Sequence, residues 1–294
     1  MGERSDLEFP SGKGSCAGWV YRPQEDRSRP GPCVVMAHGF SLTRHDGLAA
    51  FAERLAGAGA TVLVFDHRHL GDSPGEPRQH FSKPAQREDW RSAVAAARRL
   101  DGVDPAQIVL WGFSFSGGHA VETAVKDGRI AAVVVLCPFV DGLARVLATP
   151  LPTVAWILPR AMANRVGRDN RIPVTGPPGA KAAMALPGEG DGFAAVVPPG
   201  SPWRNEITPG VFLTVALHRP VAKAKRVNCP MWVGLGETDI SVSGKAVQRL
   251  AAQAPKAELH RYPYDHWQPC VGDAPARIAA DQIDFLRRHG LLGA

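Results

Sequence analysis

A serine set between small residues directly after an apolar run is the strongest chemical signal in the sequence. The stretch Gln107–Ala120, QIVLWGFSFSGGHA, carries it. Ile108, Val109, Leu110 and Trp111 form a run with no turn-former, as a fully buried parallel strand should, and from Ser116 onward the composition turns small and helix-compatible. Strand must therefore give way to helix within a very few residues. A turn that sharp strains the backbone of its central residue and needs small neighbours two positions to either side, which Gly112 and Ser116 supply around Ser114. A serine hydroxyl is a poor nucleophile at neutral pH, and it becomes useful when a base within hydrogen-bond reach takes its proton. A second frame, centred on Ser116 between Ser114 and Gly118, also fits the pattern. Ser114 is preferred because it sits closer to the strand end. The competing reading is a Gly/Ser-rich turn without chemistry, which the rest of the chain has to decide.

The elements that must position such a serine can be read from the alternation of apolar strands and helix-like segments. The 294 residues are 45% hydrophobic, which suits one α/β domain carrying an insertion. Residues 6 to 23 read as two short strands around Ser11-Gly12-Lys13-Gly14, an antiparallel hairpin at a sheet edge. CVVMAHGF, TVLVFDHRHLGDS, the run before Ser114, IAAVVVLCPF, PMWVGLGETD and AELHRYPY follow as strands, with helical segments between most of them and a terminal helix in ARIAADQIDFLRRHG. Such spacing implies βαβ crossovers and a mostly parallel sheet. Asp104-Pro105 is expected to close the loop before the central strand. The alternation breaks between Asp141 and Arg226, where Pro and Gly recur every few residues, a density expected to exclude long regular elements. Met184, Phe193, Val196, Val197 and Trp203 are nevertheless too apolar for a solvated linker. The expected organisation is a core of residues 1–140 and 227–294, with residues 141–226 as a cap over the active-site face.

Composition narrows the partners. The net charge is +6, but Arg is spread through Ala-rich helices and never forms a run of five or six, so no nucleic acid partner is expected. The start, MGERSDLEFP, has no apolar leader core, and no stretch of about 18 apolar residues occurs, so no membrane partner and a cytoplasmic location are expected. Cys16, Cys33, Cys137, Cys229 and Cys270 form no C-x-x-C pair and read as buried reduced thiols.

In this layout the chain resembles the α/β-hydrolase superfamily over essentially its whole length. The matching points are His38-Gly39-Phe40, Asp66-His67-Arg68 with Gly71 and Ser73, the turn around Ser114, Gly236-Glu237-Thr238-Asp239, and His266. The resemblance implies an eight-stranded fold of that type and a nucleophile, acid and base in the order Ser114, Asp239, His266. Trp203-Arg204-Asn205 and Asp265-His266-Trp267 are similar to the group of dienelactone-hydrolase-like and X-Pro-dipeptidyl-peptidase-like proteins, which also holds polyketide thiohydrolases and acyltransferases.

The chemistry asked of these residues is acyl transfer. His266 would accept the Ser114 proton through one ring nitrogen, and Asp239 would hold the other nitrogen and stabilise the imidazolium. Charge on the substrate oxygen would be met by the backbone N–H groups of Phe40 and Phe115, and Trp156, Met184, Phe193 and Trp203 would line an acyl site. Rival acids are Glu237 and Asp141. His38, His119, His218 and His260 read as structural. His67-Arg68-His69 with Asp72 lacks further ligands at metal spacing, and no phosphate-binding glycine motif occurs, so neither metal nor cofactor is expected. The expected activity is a serine hydrolase on an ester or thioester with a neutral, apolar acyl group. The alternatives are acyl transfer, product release or elimination in a biosynthetic pathway, and a binding protein with a relict triad.

Overall fold

The computed structural model describes residues 4–23 and 29–293. Residues 1–3, 24–28 and 294, all assigned to the expected core, therefore lie outside the described residues. Eight strands form one sheet in the order β1-β2-β4-β3-β5-β6-β7-β8. β1 (Arg4–Ser11) and β2 (Gly14–Tyr21) make the expected edge hairpin, and β2 also runs antiparallel to β4 (Thr61–Phe65). β3 (Gly31–Ala37), β5 (Val103–Phe113), β6 (Ile130–Leu136), β7 (Met231–Gly236) and β8 (Ala257–Tyr262) complete a parallel run with β4.

Every residue of β3, β4 and β7 is buried, so both faces of the sheet centre must be covered, and helices provide the cover. α1 (Ala49–Gly57) packs with α8 (Ala274–Arg288) around Trp111, whose indole donates to the buried Gln282 Oε1 at 3.0 Å. α2 (Lys83–Ala97) packs with α3 (Ser114–Lys126), and α7 (Gly244–Gln253) covers β7 and β8. Because α1 carries the chain from β3 out to β4 and α2 returns it past β3 to β5, the strand order reverses between β3 and β5. The carboxyl ends at such a reversal diverge and leave a crevice, which is where Ser114 and the loop after β3 both lie.

Two local expectations differ from the structure. Asp104-Pro105 falls inside β5 rather than in a loop, at a register shift against β3 between Gly31 and Cys33 that tolerates a residue with no N–H to donate. Residues 141–226 are not free of long regular structure: they contain α4 (Gly142–Ala148), the fifteen-residue α5 (Leu151–Arg165), α6 (Glu189–Val196) and three short 3-10 turns. α5 survives its prolines because Pro152 falls in the first turn, where no N–H is needed. Pro159, in the interior, and Ala155 one turn before it both face outward, so the carbonyl left without its N–H partner is open to water.

Candidate active site

β5 passes into α3 at Ser114, whose φ of +53° lies in the left-handed region that non-glycine residues avoid. The turn closes this tightly only because Gly112 has no side chain: a Cβ there would stand 2.5 Å from the carbonyl oxygen of Ser116. Gly39 does the same for the loop after β3, since a Cβ there would meet the Ser114 Cβ at 2.6 Å. The loop is thereby pressed against the nucleophile candidate, and Phe40 follows directly. Phe115 occupies the first turn of α3, where backbone N–H groups have no partner within the helix. Phe40 and Phe115 both wall the cavity that Ser114 faces.

Ser114 Oγ lies 2.9 Å from His266 Nε2, and His266 Nδ1 lies 2.7 Å from Asp239 Oδ2. A carboxylate on Nδ1 fixes the proton there and leaves Nε2 free to accept from the serine hydroxyl. Asp239 is positioned by the turn after β7, where its Oδ1 accepts the amides of Ser241 at 2.8 Å and Val242 at 3.0 Å. Its side chain is fully buried, and it is met by these neutral donors and the imidazole, with no Lys or Arg paired to it among the described residues. Cys137, at the end of β6 with φ of +44°, brings its sulfur within 4.8 Å of ligand atoms of Asp239 and His266. Burial, and then the charge of Asp239, push this thiol well above its ordinary pKa, so it stays protonated beside the carboxylate. Nothing in the sequence marks Cys137 as a neighbour of the acid, because the contact crosses from one strand end to another.

The rival residues are engaged elsewhere. The half-exposed Glu237 reaches only toward Arg261, at 3.9 Å. Asp141 caps α4 and pairs with Arg219 and Arg249. Asp265, beside His266, turns its carboxylate to the amides of Trp267 and Gln268, both at 2.8 Å. His38 accepts the Gly39 amide on Nδ1 at 2.8 Å and donates from Nε2 to the Asp46 carbonyl at 2.5 Å; burial lowers its pKa to about 3, which keeps it neutral. Ser116 lies beneath the elbow, 1% exposed, with its Oγ 3.3 Å from His67 Nε2.

Ser114 and His266 open onto a cavity of about 120 Å³ walled chiefly by Phe115, Phe139, Ile157, Met184 and Phe212. Of the four residues expected to line an acyl site, Met184 is in this wall. Trp156 lies outside it, on α5 with the Arg160 guanidinium 4.4 Å above its ring. Phe193 and Trp203 also lie outside it: Phe193 packs against Trp203 at 5.5 Å and Trp267 at 4.3 Å, and the Trp203 indole donates to Ser41 Oγ. These two aromatics tie residues 193–203 to Ser41, in the loop after β3, and to Trp267 instead. Sequence reasoning also missed Arg145, which lines the cavity but pairs at 3.0 Å with the fully buried Glu189. Arg44 is likewise committed, to Asp66 at 2.7 Å and Asp72 at 2.9 Å.

A mostly parallel eight-stranded sheet flanked by helices, with a serine at the sharp turn after its central strand, is the α/β-hydrolase fold. The chain belongs to the alpha/beta hydrolase family, whose model matches residues 34–281. It is 37% identical over 288 residues to the quorum-quenching protein AidA of Acinetobacter baumannii, covering 96% of this chain and 94% of that one. A 115-residue portion, 39% of this chain and 36% of the relative, is 39% identical to the thiohydrolase aneE of Aspergillus aculeatus. Among solved structures, the α/β hydrolase GrgF from a Penicillium species shares the fold with a TM-score of 0.78 at 24% identity, over 98% of this chain and 99% of that one.

Proposed function

We propose that the protein is a serine hydrolase that cleaves a carboxylic ester or thioester through an acyl-enzyme, with Ser114 as nucleophile, His266 as base and Asp239 as its orienting acid. The observation that carries this reading is the unbroken hydrogen-bond chain from Ser114 through His266 to Asp239, ending on an apolar cavity. Ser114 Oγ attacks the acyl carbon as its proton passes to His266 Nε2, and the imidazolium formed is stabilised by Asp239. The proton then goes from Nε2 to the leaving alkoxide or thiolate, and water, deprotonated by the same nitrogen, releases the acid. Negative charge on the former carbonyl oxygen is met by the Phe40 and Phe115 amides, each such donor being worth about 3 to 4 kcal/mol. Residues 141–226 act as the cap that supplies most of the acyl wall.

The acyl group is neutral and apolar, because Arg145, the arginine in the cavity wall, is already paired with Glu189, and Arg44 in the loop after β3 with Asp66 and Asp72. Relatives named as hydrolases support the class of reaction. The second reading, transfer of the acyl group to an acceptor other than water, is favoured by the apolar walls, which leave water few polar partners near Ser114. A fluorophosphonate probe followed by a panel of p-nitrophenyl esters separates the two. Labelling at Ser114 with rapid butyryl-ester turnover is the expected result; labelling with negligible turnover would favour transfer, and no labelling would remove both. A preference for succinyl over butyryl esters would overturn the neutral acyl group.

A further inference from the structure

Among the described residues α5 is apolar on both sides: it buries Ile157 and Ala161 and also presents apolar side chains to solvent. Its outward positions are Leu151, Pro152, Ala155, Leu158, Pro159 and Met162, followed by Val166 just past its end, and only Arg165 interrupts them. Leu151 is 81% exposed and Val166 78%. α4 adds Leu147, also 78% exposed. Each such side chain left in water forfeits the free energy of burying it, so a surface this large implies an occupant.

Charge identifies the occupant. From Gly142 to Arg168 there is no Asp or Glu, and with Arg145 turned inward to Glu189 the cations along this face are Arg160, Arg165 and Arg168. Residues 141–226 hold eleven Lys and Arg against five Asp and Glu, a difference of +6 that equals the net charge of the whole chain, so the remainder sums to zero. A helix with exposed aliphatic residues, flanking arginines and no acids is the pattern that lies in the boundary of an anionic bilayer. A protein partner would be expected to find hydrogen-bonding groups among the apolar ones, whereas the α5 face offers almost none. Leu158 both belongs to this face and lines the Ser114 cavity, so apolar surface is continuous from the exterior to the nucleophile candidate.

We infer that the outer face of α4 and α5 docks on an anionic lipid surface, from which an acyl substrate enters the cavity past Leu158. The inference departs from the sequence reading, which expected no membrane partner, because helix polarity shows only once the buried face of α5 is known. No helix among the described residues is long and apolar enough to cross a membrane, so the contact is peripheral.

Sedimentation with phosphatidylcholine vesicles containing roughly a third phosphatidylglycerol tests it. The full chain is expected to pellet with these vesicles, less so at high salt and much less with pure phosphatidylcholine. L151E/M162E, neither of which lines the cavity, should lower vesicle affinity at least about tenfold while leaving turnover of a short soluble ester unchanged. Leu147→Glu on α4 gives an independent variant should the pair fail to fold. Pelleting no greater than without vesicles, or undiminished in both variants, would overturn the inference. So would a dimer in light scattering that these variants dissolve, since the face would then belong to a second copy. The measurement needs no turnover, and S114A should pellet like the parent protein, so failure here is distinguishable from failure of the proposed hydrolysis.

Discussion

Two Ser-His-Asp chains meet at the elbow, one on each side of it. Ser114, His266 and Asp239 are linked at 2.9 and 2.7 Å and open on a cavity; Ser116, His67 and Asp89 are linked at 3.3 and 3.3 Å and are sealed in the core. The acids differ more than the distances do. Asp89 also accepts from Ser11 Oγ at 2.7 Å and Arg68 Nε at 2.6 Å. Burial would raise its carboxyl, but His67, Ser11 and Arg68 together hold it below the usual range. Its charge is already answered by a guanidinium, whereas Asp239, met by backbone amides, keeps its charge for an imidazolium. On the proposed reading, three residue types within hydrogen-bond reach are insufficient for a triad. The acid must have charge to give, and the hydroxyl must face space.

The two serines should differ most. S114A should lower ester turnover by roughly 10⁴-fold or more and abolish probe labelling, while S116A should stay within about threefold of the parent. Peptide mapping that puts the adduct on Ser116 would reverse the roles of the two chains. At the acids, D239N should cost roughly 10⁴ in kcat with little change in melting temperature. D89N should do the opposite, losing about 3 kcal/mol of stability by removing the buried carboxylate that His67, Ser11 and the part-buried Arg68 share, although Glu88 still pairs with Arg68, with kcat within a few-fold. Equal kinetic losses in the two would erase the distinction. Gly39→Ala, which puts a methyl group against Ser114, should lower kcat by about 10² without moving the second chain, as circular dichroism and denaturant midpoints can check.

The smallest effect concerns pH. Burial holds His38 and His218 near pKa 3, against 6.5 for a free imidazole, so between those values the unfolded chain binds protons that the folded chain refuses. Their contribution to stability is complete above pH 6.5 and is lost progressively as pH falls toward 3, by at most about 1.4 kcal/mol per pH unit for each group. Urea titrations at pH 7 and pH 5 should show the loss, and H218Q should reduce it. An unchanged slope in that variant would mean that His218 is charged in the fold.

Much of this was legible because it is written locally. The strand before Ser114 is a run of apolar residues, the turn needs small residues at fixed offsets, and the loops holding Asp239 and His266 follow strand-like segments in a recognisable order. The long-range packing of residues 141–226 was not. α5 carries prolines that read as breaks, and only their placement, one in the first turn and one on the open face, makes the helix tenable. Phe193 and Trp203 read as pocket residues because large aromatics in loops are costly to expose, but an aromatic can meet that need equally well by pinning two segments together. The pairing of Arg145 with Glu189 spans 44 residues and leaves no periodic trace.

The fastening of residues 141–226 to the loop after β3 bears on how this scaffold could be recombined. Ser201 donates to Asp46 Oδ1 at 2.6 Å and Trp203 to Ser41 Oγ at 3.1 Å, while the Asp46 carbonyl accepts from His38 and its other carboxylate oxygen holds the Thr43 amide at 2.7 Å. The loop after β3 and the stretch around Ser201 thus form one module, although about 155 residues of chain separate them. A chimera that exchanges residues 141–226 alone would strip Asp46 and Ser41 of their partners beside the Phe40 amide, whereas one that carries residues 38–46 along with the insertion keeps that seam intact. The unit of exchange in this fold is therefore discontinuous in the gene, and libraries built on contiguous crossovers would cut through it.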